Sequence, residues 1–303
     1  MMRSVLTLTT AAALLASFAS WSAPAPAWAA GANVAVAIAA LHPTQPSLGY
    51  KEVAYKVNRY KLDAHKRFDV FCEDAGQQGV ATYNSDSSLH DLSSFRCKAP
   101  VGSHPHDMKT AVIAPNGQLY LTDGHHTYAS FAELAGSDTK VFVHITDDFR
   151  QLPSMSAFWQ QMQKRHLVWL QNGAGNTLSP QALPQHLGLK YLTDDPYRSL
   201  VYFTKKVAYQ KPHNAPPFLE FYWGQWLAKQ LPLKQGMVDS KYAYKDTVEK
   251  AAKLMVNVGK NTVIAHTAIG PTTAKQMGAL TRINKKALGK LVSARGKLSY
   301  AFY

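Results

Sequence analysis

The sequence predicts an α+β protein, with a small mixed sheet in its first half and a mostly helical second half. Three observations predict it. Thr110 to Ala114 and Leu119 to Thr122 are strand-like runs around Pro115-Asn116-Gly117, and Asn-Gly is the strongest short hairpin signal. A helix from His125 to about Leu134 follows at once, with Tyr128, Phe131, Ala132 and Leu134 apolar, Gly136 as its stop, and Val141 to Ile145 as a further strand. Beyond Pro153 the apolar spacing turns helical, near residues 154–171, 196–208, 216–231, 242–258 and 272–293.

Taken from the start, the chain divides into 1–29, 30–150 and 151–303. Arg3 precedes an apolar run through Leu14, Leu15 and Phe18, then Pro24, Pro26 and the small-x-small triplet Ala27-Trp28-Ala29. That order of charge, apolar core and small-residue site predicts a secretory signal peptide and an exported, periplasmic or secreted protein. The competing reading is an N-terminal anchor, but the run falls short of the ~20 residues that span a bilayer. No later segment of the sequence is long and apolar enough to span one.

Roughly 270 residues then remain, enough for a sizeable core. Residues 31–40 are small and apolar and read as loosely ordered, while Val53, Val57 and Tyr60 have helical spacing. Cys72 and Cys97 are the only cysteines. In an exported chain an even count reads as a disulfide, here closing a polar stretch with little core of its own. A reactive thiol pair is the alternative.

The formal net charge is +14, and from Lys241 onward twelve basic residues face only Asp246 and Glu249. Part of this is the solvated side of amphipathic helices. Its concentration in one segment points to a polyanionic partner, nucleic acid or another.

The densest polar cluster is Asp123-Gly124-His125-His126-Thr127, where a strand hands over to a helix. The first turn of a helix carries unpaired N–H groups and the positive end of the dipole, so it attracts an anion. Gly124 lets a phosphate approach the backbone. Asp123 is the expected helix cap, His125 and His126 are candidate bases or metal ligands, and Thr127 is a hydroxyl donor. The bland alternative is a cap beside two surface histidines. Lys109 and Arg198 are candidate phosphate contacts. Upstream, His106 and Asp107 are candidate ligands for a divalent metal, completed by His125 or His126, against an exposed polar loop. Asp195-Pro196 reads as a helix start, with Arg198 pairing Asp194 or Asp195; Glu220 is a candidate partner for a buried Arg.

At these residues the chain resembles the putative ParB-like nuclease family of the ParB/sulfiredoxin superfamily. The motifs are Pro43-Thr44-Gln45 with Gly49 and Lys56, the 115–117 hairpin leading into Asp123-Gly124-His125-His126-Thr127, Asp194 to Leu200, and Glu220-Phe221 with Trp223. The resemblance covers about residues 41–230. It implies a ParB/sulfiredoxin-like α/β module followed by helices, and a loop that binds phosphate groups. Thr127 stands where many relatives have Arg, and histidines stand where sulfiredoxins have a catalytic Cys, so sulfiredoxin chemistry is not expected. The resulting expectation is a phosphodiesterase or nuclease with Asp123, His125 and His126 as catalytic groups. The alternative is a non-catalytic binding protein for an anionic ligand or envelope partner.

Overall fold

The computed structural model describes residues 28–303; the expected signal peptide lies almost wholly outside them. In chain order, the first elements are β1 (Asn33–Ala37), β2 (Leu41–Pro43), β3 (Ser47–Leu48), α1 (Tyr50–Leu62), α2 (Ala64–Asp74), β4 (Val80–Thr82) and β5 (Arg96–Cys97). Then come β6 (Lys109–Ile113), β7 (Leu119–Leu121), α3 (His125–Ala135), β8 (Lys140–Asp148) and α4 (Met155–Lys164). The remainder is β9 (Thr193–Asp194), α5 (Pro196–Thr204), α6 (Leu219–Gln230), α7 (Lys241–Asn257), β10 (Val263–Thr267), β11 (Gly270–Thr273), α8 (Lys285–Lys290) and α9 (Lys297–Ala301).

The main sheet is mixed, in the order β1-β8-β6-β7-β2. The β6–β7 hairpin forms where Asn116-Gly117 predicts it, with Gly117 at φ 79° and Ala111 opposite Leu121. Side chains alternate across a strand, so one face carries Ala111, Ile113, Leu119 and Leu121 and the other Val112 and Tyr120. The first face packs with residues of α1, α2 and α3, including Val53, Phe68, Phe71, Tyr128 and Phe131. The second packs against Phe158, Trp159 and Met162 of α4. Packing therefore carries the sheet unit past residue 150.

A third core gathers the later helices around Leu200, Phe203, Tyr209, Trp223, Tyr244 and Met255. Tyr55 of α1 joins it, while Val53 and Tyr60 of the same helix belong to the sheet core. α1 is thus the shared wall between the two halves. The short parallel pair β3–β9 adds a stitch, and the Tyr50 amide donates to Asp194 Oδ1 at 2.8 Å.

Three elements differ from their sequence expectation. Residues 33–37 are not loose: Val34 and Val36 alternate in a strand fully paired with β8. The helix expected over 272–293 is instead the end of β11, a turn region and the short α8. Gly278 sits at φ 80°, where a Cβ would lie 2.0 Å from the Gln210 carbonyl oxygen, so close backbone approach overrides the apolar spacing there. The helix begun at residue 155 also stops early, at Lys164, just before His166 turns to φ 53°.

Cys72 on α2 and Cys97 on β5 form a disulfide across 25 residues. The enclosed segment is held mostly by short polar bonds, such as Ser87 Oγ donating to the Ser94 carbonyl. Closing a loop of this length restrains the unfolded chain by roughly 3 kcal/mol. Reduction, or the double variant Cys72→Ser/Cys97→Ser, is expected to lower unfolding free energy by about that amount in denaturant titrations.

Candidate phosphate-binding cleft at a helix amino terminus

A cleft of about 540 Å³ opens between the amino terminus of α3 and the α5–α6 region. Asp123, Gly124, His125, His126, Thr127, Lys109 and Arg198 all line it. The fold thus brings together seven residues from separate parts of the sequence. His106 and Asp107 are exposed and line a neighbouring depression with Glu73, Asp74 and His104. Lys109 and Asp123 border both hollows. Among the described residues no group of three His, Cys, Asp or Glu side chains is arranged to hold a metal ion. The expected convergence of His106 and Asp107 with the α3 histidines does not occur, because the latter turn inward.

The helix cap is also corrected. Asp123 does not cap α3; its side chain is 67% exposed and lies 3.9 Å from Lys109 Nζ. The cap is Gly124 at φ 100°, which makes no side-chain bond. A Cβ there would meet Lys109 Cγ at 2.7 Å, so only glycine fits both the backbone and the lysine packed over it. The first intrahelical bond runs from the Tyr128 amide to the Gly124 carbonyl. The amides of Gly124, His125, His126 and Thr127 have no hydrogen-bond partner among the described residues. Four orphan donors and the positive dipole end therefore face this region.

The two histidines are structural anchors. His125 Nε2 accepts from the Thr44 amide at 3.0 Å, and Thr44 Oγ1 donates to the Leu121 carbonyl at 2.7 Å. His126 Nε2 accepts from the Gly49 amide at 3.0 Å. A nitrogen that accepts from an N–H carries no proton, so each neutral ring holds its hydrogen on Nδ1. Burial pushes the His125 pKa down to about 4, Asp123 opposing weakly, and pushes His126 well below its ordinary value. At neutral pH both rings are uncharged, and toward a ligand they have only an N–H to offer. These bonds occupy the unprotonated nitrogen that the expected role of His125 or His126 as general base would need.

Glu52, which the sequence reading missed, organises the charges. Its Oε2 accepts from Arg198 NH1 at 2.8 Å and its Oε1 lies 3.2 Å from Lys56 Nζ. Lys56 Nζ also donates to Thr127 Oγ1 at 2.8 Å. Burial works against the Glu52 charge, but His126, Arg198 and Lys56 outweigh it and hold its carboxyl far below the usual range. With His126 neutral, the two cations carry that compensation. Arg198 is buried, kept charged mainly by Glu52 and then Glu220, and stacks 5.5 Å from the Phe221 ring. Its expected pairing with Asp194 or Asp195 is replaced by Glu52, while the Asp195 carboxylate caps α5 by accepting from the Arg198 amide at 2.9 Å. Lys109 pairs with Asp74 at 3.0 Å; burial opposes its charge, and Asp74 and Asp123 push its pKa up. Lys205, Lys211 and Glu220 complete the lining, so five basic side chains face three acidic ones. The sequence signal for Glu52 was its spacing from Lys56, a helical i,i+4 pair.

The sequence matches the family described as Putative ParB-like nuclease over residues 34–229. The chain belongs to this family. The match spans the sheet, α1, the α3 loop, α5 and most of α6, which together supply the cleft-lining side chains named above. No curated protein matches the chain. Among solved structures, the chain is similar to protein Atu1540 from Agrobacterium tumefaciens, with a TM-score of 0.51 and 22% identity over 74% of this chain and 90% of that one. That likeness shows a shared fold.

The depressed His125 pKa has a stability consequence. Above pH 6.5 neither the folded nor the unfolded ring is protonated, so the bond to Thr44 contributes fully. Between 6.5 and about 4 the unfolded chain takes up a proton that the folded ring refuses, and stability falls. The gap corresponds to roughly 3 kcal/mol. His125→Gln, which keeps an acceptor without a titrating group, is expected to flatten the pH dependence of unfolding over that window.

Proposed function

We propose that the cleft binds the phosphate of a phosphodiester polyanion, and that the protein acts as a nuclease-type phosphodiesterase. The observation that carries this reading is the set of four unpartnered amides at the start of α3, beside the buried Arg198 and next to Lys56 and Lys109. An anion in that position gains the helix dipole, N–H donors and nearby cations together. The family adds nucleic acid as the substrate class. Lys250, Lys253, Lys260, Lys275, Arg282, Lys285, Lys286, Lys290 and Arg295 are all exposed, giving further phosphate contacts for a long ligand. No helix among the described residues is long and apolar enough to cross a membrane.

A second reading, binding without turnover, is favoured by one observation: both loop histidines spend Nε2 on the scaffold. Single- and double-stranded oligonucleotides, assayed for binding and for cleavage with and without divalent metal, separate the two. Binding is expected to weaken steeply with salt. Gly124→Ala is expected to weaken it at least about tenfold by displacing Lys109 and straining the loop that presents the amides, compared at equal folded fraction by circular dichroism. Unchanged affinity in this variant counts against the α3 site; binding without cleavage under every condition selects the second reading.

The leader pattern supports an exported protein, and the Cys72–Cys97 disulfide fits an oxidising compartment. The mature chain is expected to begin just after Ala29, which intact mass of the secreted form measures.

A further inference from the structure

We propose that Glu220 is the general base of the cleft, taking the proton from the water that attacks the bound phosphodiester. This rests on the nuclease reading above. Hydrolysis needs a group in the cleft with a lone pair free to accept a proton. The structure leaves few. Nε2 of His125 and of His126 already accepts backbone N–H groups, and the neutral rings offer only donors. Glu52 is 4% exposed, and its two oxygens face Arg198 and Lys56. A carboxylate so tightly paired is a weak base. Asp123 is beside the amides that would hold the phosphate, on the same wall and next to Lys109.

Glu220 differs from these in each respect. It lies in the first turn of α6, across the cleft from the start of α3, half-buried. No cation stands within salt-bridge distance of its carboxylate among the described residues, although Arg198 on α5, Lys205 after α5, and Tyr209 face it from further away. Arg198 and Lys205 keep a substrate phosphate and a carboxylate compatible in one cleft without consuming the carboxylate's lone pairs. The backbone that aims Glu220 is unusual. Phe218, the α6 cap and itself a cleft-lining residue, adopts φ 59°, a left-handed conformation that a bulky side chain rarely takes. Such strain persists where the surrounding structure enforces it, and it clusters at functional sites. Here it sets the direction in which α6 leaves the cleft wall.

In the step, the Glu220 carboxylate takes one proton from water and the water oxygen forms a bond to phosphorus. The bond from phosphorus to the departing ester oxygen breaks, and that oxygen leaves with the electron pair and is protonated by solvent. The amides of α3 and Arg198 hold the non-bridging oxygens as charge builds on them.

The test compares wild type, Glu220→Gln and Asp123→Asn on a single-stranded oligonucleotide and its non-cleavable phosphorothioate analogue. Glu220→Gln is expected to cut turnover by roughly 10² or more while leaving analogue affinity within about twofold and the melting temperature unmoved. Loss of turnover with analogue affinity retained is a split that a purely structural helix-start acid would not produce. Wild-type cleavage that survives Glu220→Gln, or that Asp123→Asn alone abolishes, overturns the base and leaves the nuclease reading standing. Absence of any wild-type cleavage overturns both.

Discussion

The bonds from the Thr44 and Gly49 amides to the imidazoles of His125 and His126 are what the cleft depends on. They fasten the connection between β2 and α1 to the first turn of α3. Without them two buried amides would lose their partners, at about 1–3 kcal/mol each. With them, α1 is held in the register that brings Glu52 and Lys56 beside Thr127. A residue type usually credited with proton transfer is used here for its unprotonated nitrogen. The same burial that makes each ring a firm acceptor makes it a poor proton carrier near neutral pH.

The electrostatics follow from that register. Glu52 is a fixed negative charge whose role is to keep Arg198 buried and ionised on the cleft wall. A buried pair of this kind contributes little net stability, since desolvation offsets its attraction, but removing one member leaves an unpaired buried charge. The arrangement favours specificity of position over stability. Gly49 shows how tight that position is: a Cβ there would lie 2.8 Å from the Ser199 amide, one residue past Arg198.

Much of the fold was legible because its signals were local. The Asn116-Gly117 hairpin, the strand-to-helix step at Gly124 and the Asp195-Pro196 helix start are each written within a few residues. The cleft membership of Lys109, Arg198 and the 123–127 loop was also readable, because resemblance joined motifs far apart in sequence. What escaped was long-range. Nothing near His126 announces that its partner is the amide of Gly49, 77 residues earlier. Glu52 went unread because its decisive partner, Arg198, lies 146 positions away. The helix expected over 272–293 failed for a similar reason, since Gly278 answers to the backbone of Gln210 rather than to its own neighbours.

The contact between Glu52 and Arg198 spans 146 positions, and β3 meets β9 over a similar distance. A polypeptide ending before residue 198 has the α3 loop but neither the guanidinium nor the opposite wall. Shortened products of translation or proteolysis would therefore lack a complete cleft. The cleft becomes a property of the finished chain, assembled only when both halves are present.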